Sequence, residues 1–134
     1  GSAANIVGVL NGIFFNAADT LKPTFSNFYK ATITPANSED TTAFVIDDPF
    51  QQYVVAADAA TGVATFLETY DMNTSAGSDT TGKSSSTLDI ATTSADGKQF
   101  RMLRSAEDPE NEDATAVRHS VVVVSNLNSF NGHN

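Results

Sequence analysis

The sequence predicts an all-β domain, a compact small barrel or sandwich of about seven to eight short strands joined by long loops. Three observations carry that expectation. Polar positions are filled by Thr, Ser, Asn and Asp, and only 17% of the residues are charged; these residue types favour strands, turns and caps over solvent-exposed helices. Apolar residues come in short β-branched and aromatic runs divided by Gly, Pro, Asn and Asp, without a sustained helical period. The four consecutive valines Val121 to Val124 mark a strand buried on both faces.

The elements follow in chain order. Ile6 to Phe15 is a first strand. Asn11 and Gly12 within it read either as a two-residue hairpin turn or as a bulge in one long strand, and the short flanking arms favour the bulge. Asn16 to Thr24, with Asp19 and Pro23, is a loop. Phe25 to Thr34 is a second strand with Phe25, Phe28, Tyr29 and Ile33 as its apolar members, and Pro35 to Asp40 breaks it. Thr42 to Ile46 is a short strand stopped by Asp47, Asp48 and Pro49. Aspartate side chains bond to local backbone, and proline cannot donate to a ladder. Phe50 to Ala57 resumes as a strand, and Asp58 to Gly62 turns the chain. Val63 to Tyr70 reads as strand or as one to two helical turns, which periodicity does not separate.

Asp71 to Thr87 is rich in Asn, Thr, Ser, Gly and Asp and reads as a long loop suited to binding. Leu88 and Ile90 alternate with Asp89 and Ala91 as in a half-buried strand. Asp96 and Gly97, within Ser94 to Lys98, signal a type I′ hairpin returning through Phe100 to Arg104, with Phe100 and Met102 on one side. Ala106 to Ala116 is an acidic loop, Val117 to Val124 a buried strand, and Ser125 to Asn134 a flexible polar tail carrying Leu127 and Phe130. Gly1 and Ser2 read as a scar of tag removal. At 134 residues, the chain is one domain over 1–134 and is too short for two separate cores.

Charge and composition narrow the function. Sixteen Asp and Glu against seven Lys and Arg leave a net charge of −9, so the basic face that phosphate backbones require is hard to build and no nucleic-acid partner is expected. No run reaches the roughly 20 apolar residues of a membrane-spanning helix, so no membrane partner is expected either. The absence of cysteine excludes disulfides, thiolate zinc sites and cysteine nucleophiles.

No catalytic constellation is visible, so neither enzymatic activity nor a cofactor is expected. His119, beside Arg118 in the valine-rich strand, reads as structural; His133 reads as a tail residue. No serine sits in a Gly-x-Ser-x-Gly turn. The acidic loop is the one candidate for a metal: Glu107, Asp108, Glu110, Glu112 and Asp113 are hard oxygen ligands at short spacing, as calcium prefers. Pro109 interrupts them, and the favoured reading is a solvated loop bridged to Arg101, Arg104 or Arg118. Phe14, Phe15, Phe25, Phe28, Tyr29, Phe44, Phe50 and Tyr53 crowd the first 53 positions. Most are expected in the core, with a minority exposed for a partner.

Several features, taken in order, resemble a known group. They are Val7, Gly8, Val9 and Gly12 in the first strand, the aromatic residues from Phe25 to Tyr29, and the short strand closed by Asp47, Asp48 and Pro49. Thr80, Thr81, Gly82, Lys83 and Ser84 follow, leading to Leu88 and Asp89. Last come Arg101 to Arg104, then Asp108, Pro109, Glu110, Asn111 and Glu112, and the valine-rich strand ending near Asn126. This order resembles the small structural proteins of tailed bacteriophages that decorate or cement the capsid. Members of that group carry an additional stretch ahead of the Val-Gly-Val strand, whereas this chain starts almost at that strand.

The resemblance implies a virion protein on the capsid exterior that binds the major capsid protein and stabilises the shell, assembling as a trimer or dimer. Phe25, Phe28, Tyr29, Lys83 and Phe130 are the expected contact residues. The competing expectation, from the acidic loop and the hydroxyl-rich segment, is a calcium-dependent ligand- or glycan-binding module of a phage tail or surface protein.

Overall fold

The computed structural model describes residues 5–110 and 113–127. They form eight strands: β1 (Val9–Asn16), β2 (Pro23–Ser26), β3 (Thr42–Ile46), β4 (Gln52–Ala56), β5 (Thr69–Asn73), β6 (Thr87–Ser94), β7 (Phe100–Ser105) and β8 (Ser120–Ser125). Single 3₁₀ turns at Ala36–Ser38 and Val63–Thr65 complete the elements, and no α-helix occurs among the described residues. One sheet has the order β2-β1-β3 and the other β4-β8-β7-β5-β6; every strand pair is antiparallel. Neither sheet closes into a barrel, so of the two expected architectures the fold is the sandwich-like one. The outer strands of the larger sheet meet only just beyond β4, where Ala57 bridges Leu88 and the Asp58 N–H donates to the Leu88 carbonyl at 3.1 Å.

Local chemistry explains the elements that match expectation. Leu10 pairs with Val45 and Gly12 with Phe44, so Asn11 is the extra residue of a bulge and the Asn-Gly pair does not turn the chain. β3 has the expected bounds, and the turn after it is held by Asp48, whose Oδ1 accepts the Phe50 N–H at 2.9 Å.

Other expectations are corrected. The second strand ends at Ser26, not Thr34. The Ser26 hydroxyl donates to the Phe28 carbonyl at 2.7 Å, and this local bond takes the chain out of the ladder. Val63 to Tyr70 is a 3₁₀ turn followed by the start of β5. Asp71 is not loop but strand, buried beside Lys98 at 3.1 Å, so the polar loop shrinks to 74–86. Gly97 does adopt a left-handed conformation (φ +87°), yet β6 and β7 are not a hairpin pair. β5 lies between them, Thr69 facing Ser94 on one side and Arg101 on the other. The valine strand begins at Ser120, after Arg118 with φ +64°. Asn126 and Leu127 are not free tail: both N–H groups donate to the Gln99 carbonyl, and the Ile6 N–H donates to Leu127 at 2.7 Å. Gly1, Ser2 and 128–134 lie outside the described residues.

The core is built by the larger sheet. Tyr70, Leu88, Phe100, Met102, Val121 and Val123 form a buried cluster, with Ile6, Tyr53, Val55, Phe66, Met72 and Ile90 packed against it. Tyr53 meets Phe100 edge-on, with ring centres 6.5 Å apart. The Tyr70 hydroxyl, fully buried with its ring, donates to the Thr65 carbonyl at 3.0 Å. Of the eight aromatic residues crowding the first half, Phe15 alone is buried. The valines, Leu88 and Met102 fill the interior instead, and one face of the smaller sheet is left without a covering layer.

Candidate binding surface

That uncovered face follows from strand register. Phe14 stands opposite Phe25 across β1 and β2, and Gly12 opposite Phe44 across β1 and β3. Alternation therefore sets Phe14, Phe25 and Phe44 on one side of the sheet, around Gly12. They are 39%, 61% and 47% exposed. The Phe25 and Phe44 rings lie 6.1 Å apart at a 44° tilt. Gly12 makes room for them, since a Cβ there would sit 2.5 Å from Phe25 Cζ. Ile13 and Phe15, on the opposite side, are buried.

The expected contact residues Phe28, Tyr29 and Lys83 come together away from Phe25. They line a groove of about 230 Å³ with Gly77, Ser78, Asp79, Gly82 and Ser84. The polar loop folds onto the Phe28 ring at Gly82, where φ is +70° and a Cβ would lie 2.3 Å from Phe28 Cδ1. Only glycine meets both demands. The loop closes on itself through bonds from the Ser78 N–H to the Lys83 carbonyl and from the Gly82 N–H to the Ser78 carbonyl. Lys30 Nζ sits 5.3 Å from the centre of the Phe28 ring, a cation–π contact. A larger open pocket of about 470 Å³ lies by Phe15, Lys30, Ile33 and the threonines 20, 24, 32 and 34. Phe130, the remaining expected contact, is outside the described residues.

Two aspartates of the acidic loop bond to local turns. Asp108 Oδ1 accepts the Glu110 N–H at 3.1 Å, and Asp113 Oδ1 accepts the Thr115 hydroxyl at 2.6 Å and its N–H at 2.9 Å. The Thr115 hydroxyl and then its N–H hold the Asp113 carboxyl below the usual carboxylate range. Glu112 lies outside the described residues, and among those described no three His, Asp or Glu side chains converge to hold a metal. Arg101, one of the expected bridging cations, reaches Asp96 at 3.8 Å.

His119 is buried just ahead of β8 and not on the valine strand expected to hold it. Its Nδ1 lies 2.9 Å from the Ala116 carbonyl and so carries the proton; Nε2 then accepts from the Thr61 hydroxyl at 3.0 Å. The ring ties the turn after β4 to the loop before β8. Asp48 holds the turn after β3 through the Phe50 N–H.

Of the residues expected to make contacts, Phe25, Tyr29 and Lys83 are exposed and Phe28 is half-buried, while the exposed Phe14 and Phe44 are not among them. The available signal was β1 itself, apolar on both faces through Ile13, Phe14 and Phe15. No family model, curated protein or solved structure matches the chain.

Proposed function

We propose that the protein decorates and cements the outside of a tailed-phage head, stabilising the shell by bridging major capsid protein subunits. The observation that carries this reading is the uncovered aromatic face of Phe14, Phe25 and Phe44. The largest apolar patch on a typical monomer, about 300 to 600 Å², is often its functional surface. Taking about 200 Å² per ring, the exposed parts amount to roughly 300 Å². That suits the apolar centre of an interface of about 800 Å² per partner. The groove at Phe28, Tyr29 and Lys83 adds contact area, and the ordered motifs in the sequence point to the same class of partner. The net charge of −9 suits a head exterior, where packaged DNA demands no basic surface. Such a role needs area and no reactive group.

Mixing the purified protein with undecorated expanded heads tests it. Near-stoichiometric co-sedimentation and a higher temperature of head rupture are the expected results, and the copy number per local symmetry axis separates a trimer from a dimer. Failure to bind cognate heads overturns the proposal.

A further inference from the structure

The exposed edges of the two sheets are not equally protected. β2 is four residues long and opens with Pro23, which cannot donate to a new strand. β4 and β6 meet only at the Ala57–Leu88 bridge just beyond β4, where the Asp58 carboxylate takes the Ile90 N–H at 3.0 Å. β4 therefore keeps much of its outer edge open. β3 is open along its whole length and, unlike β4, is flanked by paired carboxylates at both ends. It borders only β1, its residues from Thr42 to Val45 are exposed, and it contains no charge, proline or bulge residue of its own. Its outward N–H and C=O groups have no partner among the described residues. An edge of this kind is a template for another strand.

Charge decides which strand. β3 is bounded by Glu39 and Asp40 at one end and by Asp47 and Asp48 at the other, all exposed. Pairing two copies antiparallel about Phe44 would set Asp40 of one opposite Asp48 of the other at both ends, so a second copy is repelled. We infer that β3 receives an extended segment of a different protein, apolar at alternate positions and flanked by Lys or Arg, as a fourth strand of the small sheet. Its apolar side chains continue the aromatic face beside Phe44, and its basic ends meet the four carboxylates. The inference rests on the head-binding reading only for its partner, where the segment belongs to the shell protein.

The test uses the full chain, labelled with ¹⁵N. One probe is a synthetic peptide of alternating valine and threonine with two lysines at each end; the other carries glutamates in place of the lysines. The lysine-ended peptide should shift the amides of 42–46 and slow their solvent exchange, binding about tenfold tighter than its glutamate-ended mate. The double substitution Asp40→Lys with Asp47→Lys leaves one carboxylate and one ammonium at each end of β3, and it should abolish that preference without moving the urea midpoint. Shifts confined to another element, no shift at millimolar lysine-ended peptide, equal binding of both peptides, or a dimer in sedimentation that Ala43→Pro abolishes each overturn the inference. Expanded heads separate this inference from the functional reading. If the doubly substituted variant binds heads as the unaltered protein does, the β3 inference falls and head binding stands. If heads are not bound but the lysine-ended peptide docks on β3, the reverse holds.

Discussion

Replacing Phe25 and Phe100 by alanine, one at a time, removes the same atoms from two environments and should give opposite outcomes. Phe100 is 8% exposed and packs edge-on against Tyr53 in the core. Roughly 180 Å² of it is buried, which at about 25 cal/mol per Å² is about 4.5 kcal/mol. That lies within the roughly 3 to 5 kcal/mol seen when core phenylalanines are truncated, and it is most of the stability of a small domain. Phe25 is 61% exposed, so roughly 80 Å² is buried and the corresponding loss is about 2 kcal/mol or less. Urea unfolding followed by circular dichroism measures both. The order reverses in head binding: Phe25→Ala, measured where it is still folded, should weaken co-sedimentation by at least about tenfold, because an exposed aromatic anchor matters most once a partner covers it. Equal loss of stability in the two variants would show that the Phe14, Phe25 and Phe44 face is covered in the folded chain. Unaltered head binding by a folded Phe25→Ala, Phe44→Ala variant would refute the use of that face.

Three further outcomes follow from particular contacts. Gly82→Val should lower stability by about 1 to 2 kcal/mol and shift the Phe28 and Lys83 signals in NMR spectra, because the left-handed backbone and the Phe28 ring both oppose a Cβ. Lys98→Met leaves the buried Asp71 carboxylate with the Gln99 N–H at 3.4 Å. A loss of about 1 to 3 kcal/mol is expected, smaller than for a fully buried pair because Lys98 is partly solvated, and adding Asp71→Asn should recover part of it. Burial first, and then Asp48, raise the Tyr53 hydroxyl above its ordinary value. Its contribution is therefore complete below about pH 10 and is lost as pH rises through the raised value, so Tyr53→Phe should flatten the alkaline fall in the urea midpoint.

Much of the fold was legible where a signal is local. Asp47, Asp48 and Pro49 set the end of β3 to the residue, because an aspartate that accepts the N–H two residues on needs no distant partner. The bulge at Gly12 and the burial of Val121 to Val123 followed from short motifs in the same way. The early end of β2 was harder, since Ser26 bonding to Phe28 competes with a ladder whose strength depends on β1. Of the surface, Lys83 was recognisable as outward from its charge, whereas nothing local distinguishes the exposed Phe25 and Tyr29 from Phe15, which is buried.

By itself, the sequence determined the all-β class, the acidic surface, the exclusion of thiol chemistry and the positions of most turns, because composition and turn residues act over a few neighbours. Tertiary structure decided which strands pair and which aromatic side chains remain outside. β5 separates β6 from β7 despite a hairpin-like Asp-Gly between them, and Phe14 and Phe44 face solvent although they are as apolar as Ile13 beside them. Both outcomes depend on contacts between residues far apart in the chain: a strand takes the neighbour that completes the buried cluster, and a side chain is covered only where another layer reaches it.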